Sequence, residues 1–260
     1  MLSIEQINYF KTFGFLCLRQ LFSAPEMAAI TREADELLAA HPGTRSGPSH
    51  QAVSPFVELG AGLTKLPEDD RVYEPMRQLL GPRFVWGGSE GMSGSFNETN
   101  SHDWHSDRAG QIDLQYKRIK IMIYLQAMRR DTGALRVIPG SHHAPFHRDL
   151  LPLQSQQQGS ARAVFGVDGP DLCCTPLEVD PGDVVVFNHY LYHAVYGKQP
   201  VRRYIALKFA AEPMSQTRYE ALQKHEQGAS TLHERYRNSD RPRIWGLVEA
   251  LLAWEGKVGR

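Results

Sequence analysis

The sequence predicts a mainly β fold with flanking helices, its β core spanning about residues 84–210 and its site inside a barrel. Three observations predict it. Short runs between Phe84 and Phe209 alternate apolar and polar residues with the two-residue period of strands, and turn-forming residues separate them. Two of these runs set a mostly apolar face against a mixed polar one, as a sheet does when helices cover one side and a cavity lies on the other. Towards both ends of the chain, apolar residues recur instead at helical spacing.

Taken in order, Ser3 is placed to cap a first helix in which Ile4, Ile7 and Phe10 share a face, and Gly14 ends it. "GFLCL" reads as a short strand. Ser23 caps a second helix with Pro25 in its first turn; Met27, Ile30, Ala34, Leu37 and Leu38 form its apolar stripe, and "HPG" stops it. Residues 41–70, rich in Pro, Gly and Ser, read as loop, and a short helix near 71–80 ends at Gly81-Pro82. In "RIKIMIYLQ", Ile119, Ile121, Ile123 and Leu125 occupy one face, with Arg118, Lys120, Met122, Tyr124 and Gln126 on the other. In "RRYIALKF", Arg203, Ile205, Leu207 and Phe209 oppose Arg202, Tyr204, Ala206 and Lys208. The Gln-rich stretch from Leu153 to Cys174 reads as a long loop and a candidate lid. Helical patterns return from about residue 213, with Trp245, Leu247, Val248 and Leu251 as packing residues. No repeat or linker divides the chain, so residues 1–260 read as one domain.

Composition narrows the function. Apolar residues make up 42% and charged residues 22% of the chain, as in globular proteins, and 29 basic residues balance 29 acidic ones. This balance gives no reason to expect a nucleic-acid or acidic-membrane partner. No apolar run approaches the roughly 20 residues that span a bilayer. The N-terminal stretch has no basic region followed by an apolar core, and the three cysteines make no disulfide framework; both lead to the expectation of a cytoplasmic protein. Histidine stands out instead, with 11 residues, several of them clustered.

The chemistry gathers in two places. "WHSD" holds His105 and Asp107, whose side chains point the same way on an extended strand. "PGDVVVFNHYLYH" holds His189 and His193, which share a face under strict alternation. Two histidines and one carboxylate converging from distant strands form the facial triad that holds non-haem Fe(II) with open positions. His-x-Asp alone is weak evidence, since a structural histidine–carboxylate hydrogen bond would look the same.

Several motifs in order resemble the phytanoyl-CoA dioxygenase-like proteins, a family of Fe(II)/2-oxoglutarate-dependent oxygenases. They are the opening "IEQINYFKTFGFLCLRQLFS", then "WHSD", "DTGALRVIPGSHH", "PGDVVVFNHYLYH" and "RRYIALKF", together covering residues 3 to about 210. The resemblance implies a double-stranded β-helix, the jelly roll of cupin-like proteins, with the N-terminal helices on its larger sheet. It implies His105, Asp107 and His193 as metal ligands and catalytic centre, on the interval from Phe187 to His193, with His189 as the rival. Arg202 or Arg203 would bind the distal carboxylate of 2-oxoglutarate; strand parity favours Arg202, because Arg203 shares the helix-covered face. A guanidinium suits a carboxylate through its two parallel donors. Lys120, Tyr124 and, more weakly, Asn97 are the other candidate cofactor contacts, with Met122 lining the same pocket. The implied reaction uses Fe(II), 2-oxoglutarate and O2 to hydroxylate a small organic molecule, releasing succinate and CO2. A carboxylate at 107, where related halogenases carry a small residue, fits hydroxylation, or desaturation or ring closure by the same oxidant. A polar or anionic substrate is the expectation. The alternatives are a non-catalytic cupin-like metal-binding protein and a metalloenzyme that needs no 2-oxoglutarate.

The remaining motifs read as structural. His142, His143 and His147 belong to the turn after "IPGS". His102 lies three residues before His105, a zinc-like spacing on a helix, but on a strand it is expected to point elsewhere. Cys173-Cys174 reads as a buried or strand-edge pair. "GGSEGMSG" lacks the following helix that a phosphate loop needs. Trp104 either walls the site or packs.

Overall fold

The computed structural model describes residues 1–45, 50–96, 102–107, 113–155, 160–197, 199–225 and 232–258. Capping chemistry sets its first elements. The Gln6 amide donates to Ser3 Oγ while the Ser3 amide donates to the Gln6 side chain, and this box starts α1 (Ile4–Phe13). Gly14 ends the helix at φ 87°, a left-handed turn that suits glycine. After β1 (Phe15–Leu18), the Ser23 amide and hydroxyl both donate to Glu26 at the start of α2 (Ala24–Ala40). This helix buries Met27, Ile30, Ala34 and Leu38.

The expected loop at 41–70 holds β2 (Thr44–Arg45), β3 (His50–Val53) and 3-10 turns at Val57–Leu59 and Leu63–Glu68. Buried Glu58 ties this segment to the core, accepting from the Phe56 amide, the Trp86 indole and the Ser89 hydroxyl. The chain continues through α3 (Asp70–Leu80), β4 (Phe84–Phe96), β5 (His102–His105), β6 (Arg118–Tyr124) and β7 (Thr132–Val137). The expected lid loop instead contains short helical pieces. After α4 (Phe146–Asp149) come a 3-10 turn at Leu151–Ser155, α5 (Ser160–Phe165) and a second turn at Gly169–Asp171. Pieces of one or two turns are too short to leave a readable period. Then follow β8 (Thr175–Leu177), β9 (Val184–Asn188), β10 (His193–Gly197), β11 (Gln199–Ala211), α6 (Gln216–His225), α7 (Glu234–Arg237) and α8 (Pro242–Val258).

The strands form two antiparallel sheets, ordered β1-β9-β6-β11-β4-β3-β2 and β5-β10-β7-β8. This is the arrangement of a cupin-like core with flanking helices. The description "mainly β" is corrected: helical residues outnumber strand residues, and the two sheets do not close into a barrel among the described residues. The long helices α2 and α8 tip the balance.

Face parity follows the sequence pattern. Ile119, Ile121, Ile123, Ile205, Leu207 and Phe209 join the helices in one core. Met122, Tyr124, Tyr204 and Ala206 turn the other way, into a second core with Leu135, Val137 and Val195 of the four-stranded sheet. Leu247, Val248 and Leu251 are buried, but Trp245 is 42% exposed, because α8 presents it on its solvent side. Cys173 is exposed and Cys174 half-buried just before β8, so the pair is a strand-edge feature.

Candidate active site

The register of β10 on β5 sets His193 directly across from His105, and Asp107 follows two residues after the end of β5. The ligand atoms of His105, Asp107 and His193 all lie within 4.8 Å of one another. Asp107 Oδ1 is 3.7 Å from His105 Nε2 and 3.5 Å from His193 Nε2. Each imidazole is oriented from behind by a backbone carbonyl: His105 Nδ1 is 2.7 Å from Asp103 O, and His193 Nδ1 is 2.9 Å from Leu191 O. With the proton on Nδ1, both Nε2 lone pairs face the shared point, as metal coordination requires. Burial and the neighbouring His193 push His105 down to about 4, so its imidazole is neutral and able to ligate at physiological pH. His189 is buried but stands outside this group, because the chain turns after β9 and breaks the strict alternation.

Asp107 is held at both oxygens. While Oδ1 faces the histidines, Oδ2 accepts a hydrogen bond from Lys120 Nζ at 3.3 Å. Burial raises the carboxyl pKa, but Lys120, His193 and His189 together outweigh it and hold the group well below the usual range. Lys120 therefore stands beside the triad, at the opposite end of β6 from Tyr124. Arg202 is the cation at that other end. It is 2% exposed; its Nε donates to Gly133 O at 2.9 Å and its Nη2 to Tyr124 Oη at 3.0 Å. Gly133 takes φ 88°, and a Cβ there would sit 3.2 Å from Arg202 Cδ, so the glycine of "DTGAL" both braces the arginine and gives it room. Arg203, the other predicted carboxylate binder, is corrected: it points to the opposite face, where its Nη1 donates to both carboxylate oxygens of Asp35 of α2, at 2.5 and 2.6 Å.

Sequence reasoning missed His102 and His50. Four residues of β5 (His102–His105) oppose three of β10 (His193–Val195), a bulge that brings His102 round towards the site. Its ring lies edge-on to His105 at 6.4 Å and stacks on His50 of β3 at 5.9 Å. Burial, then the charge of Arg202, pushes His102 down to about 3. Glu90 was also missed, its strand obscured by glycines. It accepts from Tyr204 Oη, lies 3.6 Å from Lys208 Nζ, and is held ionised despite its burial by Lys120 and Lys208.

The other candidates settle into structural roles or fall outside view. Trp104 is fully buried with its indole donating to Gly169 O, packed among Tyr192, Ala194 and Tyr196. His142 and His143 both contact Lys11 O, and His147 contacts Ser141 O, so these three brace a turn. Asn97 lies outside the described residues.

Two facing antiparallel sheets with a His-Asp-His triad are the fold and metal-ligand set that mark the class of non-haem iron dioxygenases. The chain belongs to the phytanoyl-CoA dioxygenase (PhyH) family, whose profile matches residues 10–197. Among solved structures it is similar to HygX from Streptomyces hygroscopicus with nickel and 2-oxoglutarate bound (TM-score 0.66, 19% identity, 81% of this chain and 87% of that one). It is also similar to the carbocyclase SnoK from nogalamycin biosynthesis (TM-score 0.63, 18% identity, 81% and 85%). EctD from S. alaskensis is comparable (TM-score 0.62, 21% identity, 81% and 77%). At such identities the likeness is one of fold. A curated relative, Dioxygenase lolE1 of Epichloe uncinata, is 28% identical over 89 residues, which cover 34% of this chain and only 31% of that protein. No helix among the described residues is long and apolar enough to cross a membrane.

Proposed function

We propose that the protein is an Fe(II)- and 2-oxoglutarate-dependent dioxygenase that hydroxylates a small organic molecule, with release of succinate and CO2. The two sheets are read as a double-stranded β-helix and residues 1–260 as one catalytic domain. His105, Asp107 and His193 hold the metal through Nε2, Oδ1 and Nε2, and Arg202 takes the distal carboxylate of 2-oxoglutarate. The observation that carries the reading is the locked triad: both Nδ1 atoms are engaged by carbonyls, leaving three ligand atoms aimed at one point. The metal with 2-oxoglutarate supplies the activation of O2; the chain supplies position. Lys120 fixes the carboxylate of Asp107, while Gly133 and Tyr124 fix Arg202. HygX, an analogue in fold, carries nickel and 2-oxoglutarate, which supports the cofactor assignment.

A polar or anionic substrate fits the charged inner wall of Lys120, Glu90 and Lys208. Ring closure by the same cofactors is the second reading, favoured by the likeness to the carbocyclase SnoK. Anaerobic titration with Fe(II) and 2-oxoglutarate tests the assignment through the visible charge-transfer band, followed by O2-dependent succinate release against a metabolite library. Absence of a band in the wild type, or an unchanged band in His193→Ala, refutes it.

A further inference from the structure

We propose that His102, backed by His50, forms one wall of the 2-oxoglutarate cleft and gives a ring N–H to the distal carboxylate that Arg202 holds. The inference rests on the reading that 2-oxoglutarate spans from the triad to Arg202, and adds a residue to it that the strand period hides. Three observations place His102 along that span. The bulge in β5 brings it onto the side of His105, whose ring it meets edge-on at 6.4 Å. At the other end, the His50 on whose ring it stacks is paired across Gly94 of β4 with Arg202, so His102 lies between the triad and the arginine, along the reach of a five-carbon dicarboxylate. It is half-buried, open enough to meet a ligand, and its ring is set by stacking on His50, which itself feels Arg202.

The chemistry is complementary. The bonds from Arg202 Nε to Gly133 O and from Nη2 to Tyr124 Oη set the plane of its guanidinium, whose planar fork suits one edge of a carboxylate. A neutral imidazole can donate one N–H to the other edge without adding a charge. A hydrogen bond to a charged group is stronger than one between neutral partners, so its loss is measurable in an equilibrium constant. His50 touches no ligand here; it is a positioning residue, holding the ring of His102 at the angle that aims the N–H.

The test is anaerobic binding to the Fe(II)-loaded protein, read by the charge-transfer band, with two ligands. One is 2-oxoglutarate. The other is 2-oxopentanoate, which keeps the chelating end and the chain length but carries no distal carboxylate. His102→Phe keeps a ring to stack on His50 and removes the N–H; it should weaken 2-oxoglutarate about tenfold and leave 2-oxopentanoate and Fe(II) affinity unchanged. His102→Gln, which restores an N–H, should recover most of the loss. His50→Leu should weaken 2-oxoglutarate a few-fold, with no added effect in the His102→Phe background. Wild-type 2-oxoglutarate affinity in His102→Phe overturns the inference. So does an equal loss for both ligands, which would place the role of His102 at the metal end or in the scaffold. If the wild type binds neither ligand, or if Arg202→Gln binds 2-oxoglutarate normally, the underlying reading of the cleft fails instead.

Discussion

Arg202 and Arg203 are neighbours in sequence with opposite fates, and substituting each by Gln separates the cleft from the scaffold. In Arg202→Gln the lost group is a buried guanidinium already oriented by Gly133 O and Tyr124 Oη. A fork of two charge-assisted hydrogen bonds to a carboxylate, at about 1.5–3 kcal/mol each, is worth roughly 3–6 kcal/mol. At about 1.4 kcal/mol per tenfold, the dissociation constant of 2-oxoglutarate should rise by roughly two to four orders of magnitude. In Arg203→Gln the lost partner is Asp35, and the two side chains are 26% and 45% exposed, so solvent screening limits the pair to about 1 kcal/mol of stability. Its affinity for 2-oxoglutarate should match the wild type. The assay is anaerobic isothermal titration with the Fe(II)-loaded protein, with urea unfolding as the control for folding. A large loss in Arg203→Gln alongside a small one in Arg202→Gln would refute the assignment of faces along β11.

Three further outcomes are expected. Lys120→Met removes the hydrogen bond to Asp107 Oδ2 and should weaken metal binding by roughly 10- to 100-fold, read by competition with a chromophoric chelator. Gly182→Ala forces a Cβ at φ 101° against the Phe22 carbonyl and should cost about 2 kcal/mol in urea unfolding, leaving metal affinity unchanged. His142, pushed down to about 4 by burial and by His143, is neutral in the folded protein, whereas an unfolded histidine titrates near 6.5. The unfolded chain therefore binds the extra proton first: stability is full above about pH 6.5 and declines as pH falls towards 4, by up to roughly 3 kcal/mol from this residue. His142→Gln should flatten that part of the profile, measured by urea unfolding between pH 4 and 8.

Periodicity made the inner sheet readable before any coordinates. The alternation in "RIKIMIYLQ" and "RRYIALKF" is strict, so parity alone separated Arg202 from Arg203 and set Tyr124 and Lys120 on the inner face. The triad of His105, Asp107 and His193 was legible through the ordered motifs of the family resemblance, because His-x-Asp alone would look the same as a structural hydrogen bond. His102 was not, because a bulge adds a residue and reverses the parity on which the argument stood. His50 was hidden in a segment whose Pro and Gly content spoke for loop, while its strand pairs with Gly91–Gly94, a partner far away in sequence. Trp245 followed a helical stripe that the surroundings of α8 do not cover. The distance between Lys120 and Tyr124 along one strand was available from the start, but which end faced the metal depended on Asp107, a contact between elements.

The paired arginines carry a consequence for how the site is assembled. Slide β11 by one residue and Arg203 enters the cleft while Arg202 turns towards Asp35: to the charges, the two registers are nearly twins. What separates them is bulk. The slip would drive Tyr204 and Lys208 into the space beneath the helices and turn Ile205, Leu207 and Phe209 onto the polar wall. Greasy residues that never meet a ligand thus act as the proofreaders of the cleft, and their erosion would scramble chemistry before it unfolded the chain.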